Sequence, residues 1–209
     1  MKLIVFGLLV SVCYAGSPSP SPKLAPISLF TQLQQPAPAV VMAALREEAA
    51  GILAPAGFHF EWHDLSAAGK VGTSVELAVV IFHGACDVPN MIPGGSDSIR
   101  ALGYTNVTNG EILPFITVDC EKTQSFLASA LSRVPVTQRE RIFGRALGRI
   151  LAHELFHVFA KTQRHAHAGL TKESYTVEDL VGEDLVVEES DFDLLRSSPA
   201  YLVLSQPRP

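Results

Sequence analysis

Charge is sparse in this 209-residue chain, and cysteine is sparser still. Only 18% of the residues are charged. Lys and Arg total 16 against 21 Asp and Glu, a net charge of -5, and no basic run occurs. That balance argues against nucleic acid or an anionic membrane surface as a partner. No aromatic motif of the kind that stacks RNA bases is present. The three cysteines, Cys13, Cys86 and Cys120, include no closely spaced Cys pair, which argues against a thiolate-rich metal site. Beyond the first 15 residues no apolar run reaches bilayer-spanning length. No internal repeat is evident. What is plentiful is apolar residues, 47% of a chain long enough for one sizeable core.

The first 15 residues read as a secretory leader. Lys2 gives a short positive start, Leu3 to Val12 an apolar stretch, and Cys13 and Ala15 the small residues at −3 and −1 that a signal peptidase needs. Residues 16–26 alternate Ser and Pro and read as an extended linker. The domain is expected over 27–200, secreted or periplasmic, and monomeric. Removing the leader leaves Cys86 and Cys120, an even pair that suggests one disulfide in an oxidising compartment. The few residues before the first strand carry no cysteine to block a metal, so no inhibitory prosegment is expected.

Strand and helix patterns alternate through the domain. Strands are expected at Ile27 to Gln32, Phe58 to Trp62 and Glu76 to Phe82, and a helix at Ala39 to Leu53. Asp87 to Ser98, with three Gly or Pro breaks between 93 and 95, reads as a loop over a cleft. Gly103 to Thr108 and Glu111 to Val118 flank Asn109-Gly110, a type I′ hairpin signal. Pro114 predicts that the second hairpin strand is bulged or at a sheet edge, where it would bind an extended peptide. Helices follow at Glu121 to Ser132 and from a Thr137/Glu140 capping box to about Lys161. A Thr176/Asp179 cap then opens an acidic C-terminal helix to about Arg196. The class expected is α+β, with about four to five strands in a twisted mixed sheet.

His153-Glu154-Leu155-Phe156-His157 carries the chemistry. On a helix, residues i and i+4 share a face, so both imidazoles can reach one ion. Phe143, Ala146, Ile150, His153 and His157 form a single stripe, while Arg141, Arg145 and Arg149 lie on another side. Imidazoles in line with a buried face need a partner, and a metal supplies one. Gly144 and Gly148 share a face that suggests close packing against the sheet or another helix. In the functional reading His153 and His157 bind Zn²⁺ and Glu154 is the general base for a zinc-activated water. A catalytic zinc takes three protein ligands. Spacing leaves the third open among His165, His167 and an acid such as Glu178 or Glu183. Tyr175 reads as a packed aromatic before the last helix, or as a hydrogen-bond donor to an oxyanion. His59, His63 and His83 read as ordinary polar residues.

With His165 eight residues after His157 and Gly169 beyond it, the chain resembles a group of small secreted bacterial zincin-like proteins. Ala101-Leu102-Gly103-Tyr104, and the run from Gly110 to Phe115 leading to Asp119-Cys120, are similar to that group as well. The resemblance spans about residues 27–185, though only the zinc motif is specific. It implies a metzincin-like fold, zinc ligation by His153, His157 and His165, catalysis by Glu154 and a peptide or protein substrate. The strict metzincin signature is absent, since Ala160 and Gln163 stand where Gly and His would be. No Met follows His165 either, and Leu170 occupies the corresponding region. A zinc amidase acting on cell-wall peptides and a non-catalytic zinc-binding protein are the competing readings.

Overall fold

A computed structural model describes residues 24–88 and 101–207. The leader, most of the linker and most of the Asp87 to Ser98 loop lie outside the described residues. Five strands form one mixed sheet: β1 (Ile27–Leu33), β2 (Phe60–Asp64), β3 (Leu77–His83), β4 (Gly103–Thr108) and β5 (Glu111–Asp119). Their order is β2-β1-β3-β5-β4. All pairings are parallel except β4 on β5. The architecture is α+β. Parallel neighbours need crossover connections, and α1 (Ala39–Leu53) provides the first of them, between β1 and β2.

Alternation along the strands separates two faces. Leu29, Ala78, Val80, Ile116 and Val118 are buried toward the helices. Phe115, on the opposite face, is exposed. Helix α2 (Cys120–Ser132) starts where β5 ends, with the Asp119 carboxylate accepting the Lys122 N–H at 2.9 Å. Helix α3 (Val136–Ala160) is the central rod. It packs on α1, on β4 and β5, on α2, and on the short helices α4 (Val177–Val181), α5 (Glu189–Arg196) and α6 (Pro199–Leu204).

Gly144 and Gly148 face α1. A Cβ at Gly144 would lie 2.4 Å from the Val41 carbonyl oxygen, and one at Gly148 2.7 Å from that of Leu45. Two glycines four apart therefore set the approach of the helices, and the neighbour they fit is a helix rather than the sheet. The Cys86–Cys120 disulfide is formed, with both residues fully buried and 4.9 Å between Cα atoms. It closes the segment that contains the β4–β5 hairpin. Asn109 and Gly110 at the hairpin tip both have positive φ, 54° and 81°, as a type I′ turn requires.

Several expectations are corrected. The Thr137/Glu140 capping box does not form. Pro135, with φ fixed at -53°, starts the helix at Val136 and puts Thr137 inside the first turn. The Thr176/Asp179 capping box does form, but it opens a helix of 5 residues, not one reaching Arg196. The helical run is interrupted from Gly182 to Glu188 and again at Ser197, so α4, α5 and α6 are separate helices. Strand β5 is not at an edge. Its Pro114 lies before the pairing with β3 begins and opposite a register shift between Thr105 and Val107, so the bulge is present and β4 is the edge strand. Leu24 and Ala25, at the end of the expected linker, are buried, and the Ala25 N–H donates to the Leu204 carbonyl at 2.9 Å. No helix among the described residues is long and apolar enough to cross a membrane.

Candidate metal centre

His153 and His157 lie on consecutive turns of α3, both buried at 7% exposure. Each ring is held at Nδ1 by a backbone carbonyl: His153 donates to Leu170 at 2.8 Å and His157 to Thr162 at 2.7 Å. A carbonyl only accepts, so both Nδ1 atoms carry the hydrogen and both Nε2 atoms present lone pairs. Those Nε2 atoms are 2.9 Å apart. Two lone pairs so placed repel unless a cation lies between them. A shared proton is disfavoured: burial, with His157 nearby, pushes His153 down to about 4, and burial also lowers His157.

The carbonyls reach the rings because of the turn after the helix. Lys161 adopts the left-handed conformation, φ 51°, and swings Thr162 back toward His157. A compact turn follows, with Ala166 N–H donating to Thr171 at 2.9 Å and Gly169 at φ 78°. It sets Leu170 against His153 and stacks the His165 ring on that of His153, at 5.3 Å between centroids. One ligand atom from each of His153, His157 and His165 lies within 4.8 Å of the other two. Zn–N bonds of about 2.0–2.1 Å in a tetrahedron put nitrogens about 3.3 Å apart, and the His153–His157 pair is close to that span. His167, Glu178 and Glu183 are not in the cluster. All three are exposed. His59, His63 and His83 also lie outside it.

Glu154 is buried at 6% exposure beside the cluster. The Thr105 hydroxyl donates to its Oε2 at 2.8 Å. Burial pushes the Glu154 carboxyl up to about 7, and the Thr105 bond pulls it partly back. Tyr175 packs edge-on against His153, 5.6 Å between centroids, and its hydroxyl donates to the Leu170 carbonyl. The same carbonyl therefore anchors His153 and Tyr175. Burial raises the Tyr175 phenol well above its ordinary range. A cleft of about 500 Å³ opens over these groups, between β4 and the 163–175 segment. Its apolar wall includes Leu102, Val107, Ile112 and Ile150.

Spacing alone missed four contributors. Arg149 is fully buried, although the arginines fall on a separate helix side. It contacts Glu48 at 2.6 Å and donates to the Asp179 and Glu183 carbonyls at 2.8 and 2.9 Å. Arg145 donates to the Val181 carbonyl at 3.2 Å. Together they fasten α4, and with it the segment that carries Tyr175, to the motif helix. Thr105 and Gly103 are the other two, and both come from a strand distant in sequence. The three neighbouring imidazoles make a site that can hold a metal ion. No family model matches the chain, and no curated protein is significantly similar to it.

Proposed function

We propose that the protein is an exported zinc-dependent metallopeptidase of zincin-like, metzincin-related fold. The observation that carries this reading is the pair of facing Nε2 lone pairs, 2.9 Å apart, with each ring fixed through Nδ1 by a carbonyl. His153, His157 and His165 would hold the ion. Zinc suits a set of neutral imidazoles of this size. When bound it supplies Lewis acidity, lowering the pKa of water and polarising a carbonyl. Glu154, one residue after the first ligand, takes the proton from the attacking water and can hand it to the leaving amine. Its burial beside an apolar cleft wall favours that exchange near neutral pH.

A peptide would lie extended along β4, whose outer edge is unpaired among the described residues. The apolar cleft wall favours an apolar side chain next to the scissile bond. Export is supported by the leader pattern and by the disulfide. A cell-wall amidase would use the same chemistry on a different amide. A purely structural zinc has four closed ligands, whereas this cluster has three and faces a cleft.

Glu154→Gln tests the reading. The variant is expected to bind zinc as the parent does while hydrolysis of a peptide library falls at least about a hundredfold. Purified peptidoglycan assayed beside it separates the amidase. Equal turnover by parent and variant would remove Glu154 from the chemistry.

A further inference from the structure

We propose that Gly103 and Thr105, on the edge strand, are a positioning pair that sets the orientation of the Glu154 carboxylate. The catalytic half of this inference rests on the peptidase reading. The geometry does not.

Register turns both residues toward the helices. Gly103 stands opposite Val118 and Thr105 opposite Ile116, and both partners are buried on the helix side of the sheet. The slip between Thr105 and Val107 follows immediately. A bulge there bends the strand where Thr105 meets the helix.

The two residues act on different carboxylate oxygens. Thr105 Oγ1 donates to Oε2 at 2.8 Å and lies 3.2 Å from the Glu154 backbone carbonyl. Oε1 takes no bond from Thr105 and lies over Gly103. A Cβ on Gly103 would lie 3.3 Å from Oε1, 3.3 Å from Glu154 Cγ and 2.8 Å from Ile150 Cγ2. Gly103 thus lets the strand approach two turns of the helix and leaves room beside Oε1. One oxygen is tethered, and the other is left free to accept a proton. A general base works only when held within hydrogen-bond reach of its proton, and misplacement of about 1 Å can cost about a hundredfold in rate.

Thr105→Val keeps the shape and removes the hydroxyl, while Thr105→Ser keeps the hydroxyl and removes a methyl. Two readouts are taken on each full-length variant: the crystal structure without metal, and kcat, KM and zinc affinity. In Thr105→Val the Glu154 carboxylate is expected to leave its place against β4. Its kcat is expected to fall at least about tenfold, with KM and zinc affinity within about twofold of the parent. Thr105→Ser is expected to restore the carboxylate position and most of kcat. A Thr105→Val structure with Glu154 unmoved and kcat retained overturns the proposal. Equal impairment of the Ser and Val variants does so too, because it assigns the effect to packing. If the zinc-loaded parent cleaves no amide, the peptidase reading falls, and the metal-free structures still decide whether Thr105 positions Glu154.

Discussion

His153, His157 and His165 differ in how they are held, and the difference sets what each substitution should do. His153 and His157 are buried and pinned at Nδ1, whereas His165 is exposed on a turn. The first two rings are pre-organised before any ion arrives, and pinning of this kind raises affinity by removing conformational freedom. Tyr175 belongs to the same support. Its hydroxyl meets the carbonyl that anchors His153, so Tyr175→Phe is expected to weaken zinc binding about tenfold to a hundredfold. At saturating zinc its kcat should stay close to that of the parent. A competitive chelator titration run beside steady-state kinetics checks this, and a lower kcat with unchanged zinc affinity would assign the hydroxyl to the reacting group instead. His153 and His157 were legible as a pair because they are one helical turn apart, whereas spacing left the third member open among His165, His167 and an acid until the fold placed His165 beside them. Thr105 was not, because its bond to Glu154 joins residues 49 apart in sequence, and neither residue type announces it.

Among the elements, the motif helix is the best specified. Its apolar stripe and its end near Lys161 follow from local pattern, as does the glycine contact, though not that its partner is a helix. The glycine contact gives a stability test. Gly148→Ala gains helix propensity of about 1 kcal/mol. It also drives a methyl to 2.7 Å from the Leu45 carbonyl oxygen and 2.8 Å from Glu48 Cβ. Overpacking of that kind costs about 1–3 kcal/mol, so a net loss is expected. Gly51→Ala, on α1 with open space around it, should instead stabilise by up to about 1 kcal/mol. Denaturant midpoints for the two variants, shifted in opposite directions, would support helix-to-helix contact at Gly148. Elements whose ends depend on distant partners were harder to read. Arg145 and Arg149 hold the carbonyls at the end of α4, and Gly182, its C-cap, is the one local stop signal there, which the acidic helical pattern around it masked. Likewise, Pro114 identified an irregular strand. Only the pairing order shows that β5 is interior and β4 is the edge.

At the scale of the molecule, the sheet, the helix pair and the disulfide combine to hold two walls against each other. One wall is the β4–β5 hairpin, whose outgoing end is tied by Cys86–Cys120 to the segment after β3. The other is the motif helix with its following turn, fastened to α4 by buried arginine contacts. The three imidazoles and Glu154 lie between them, facing a cleft of about 500 Å³. Composition and patterning anticipated an α+β domain with a late motif helix. Strand order was beyond them, since parallel pairing is decided by crossovers that leave no periodic trace in a single chain. X-ray absorption at the zinc edge, on protein loaded with one equivalent of metal, addresses the central claim most directly. The expected spectrum is three imidazole nitrogens at about 2.0 Å and one further light atom from solvent. Four protein ligands, or fewer than three imidazoles, would contradict the account.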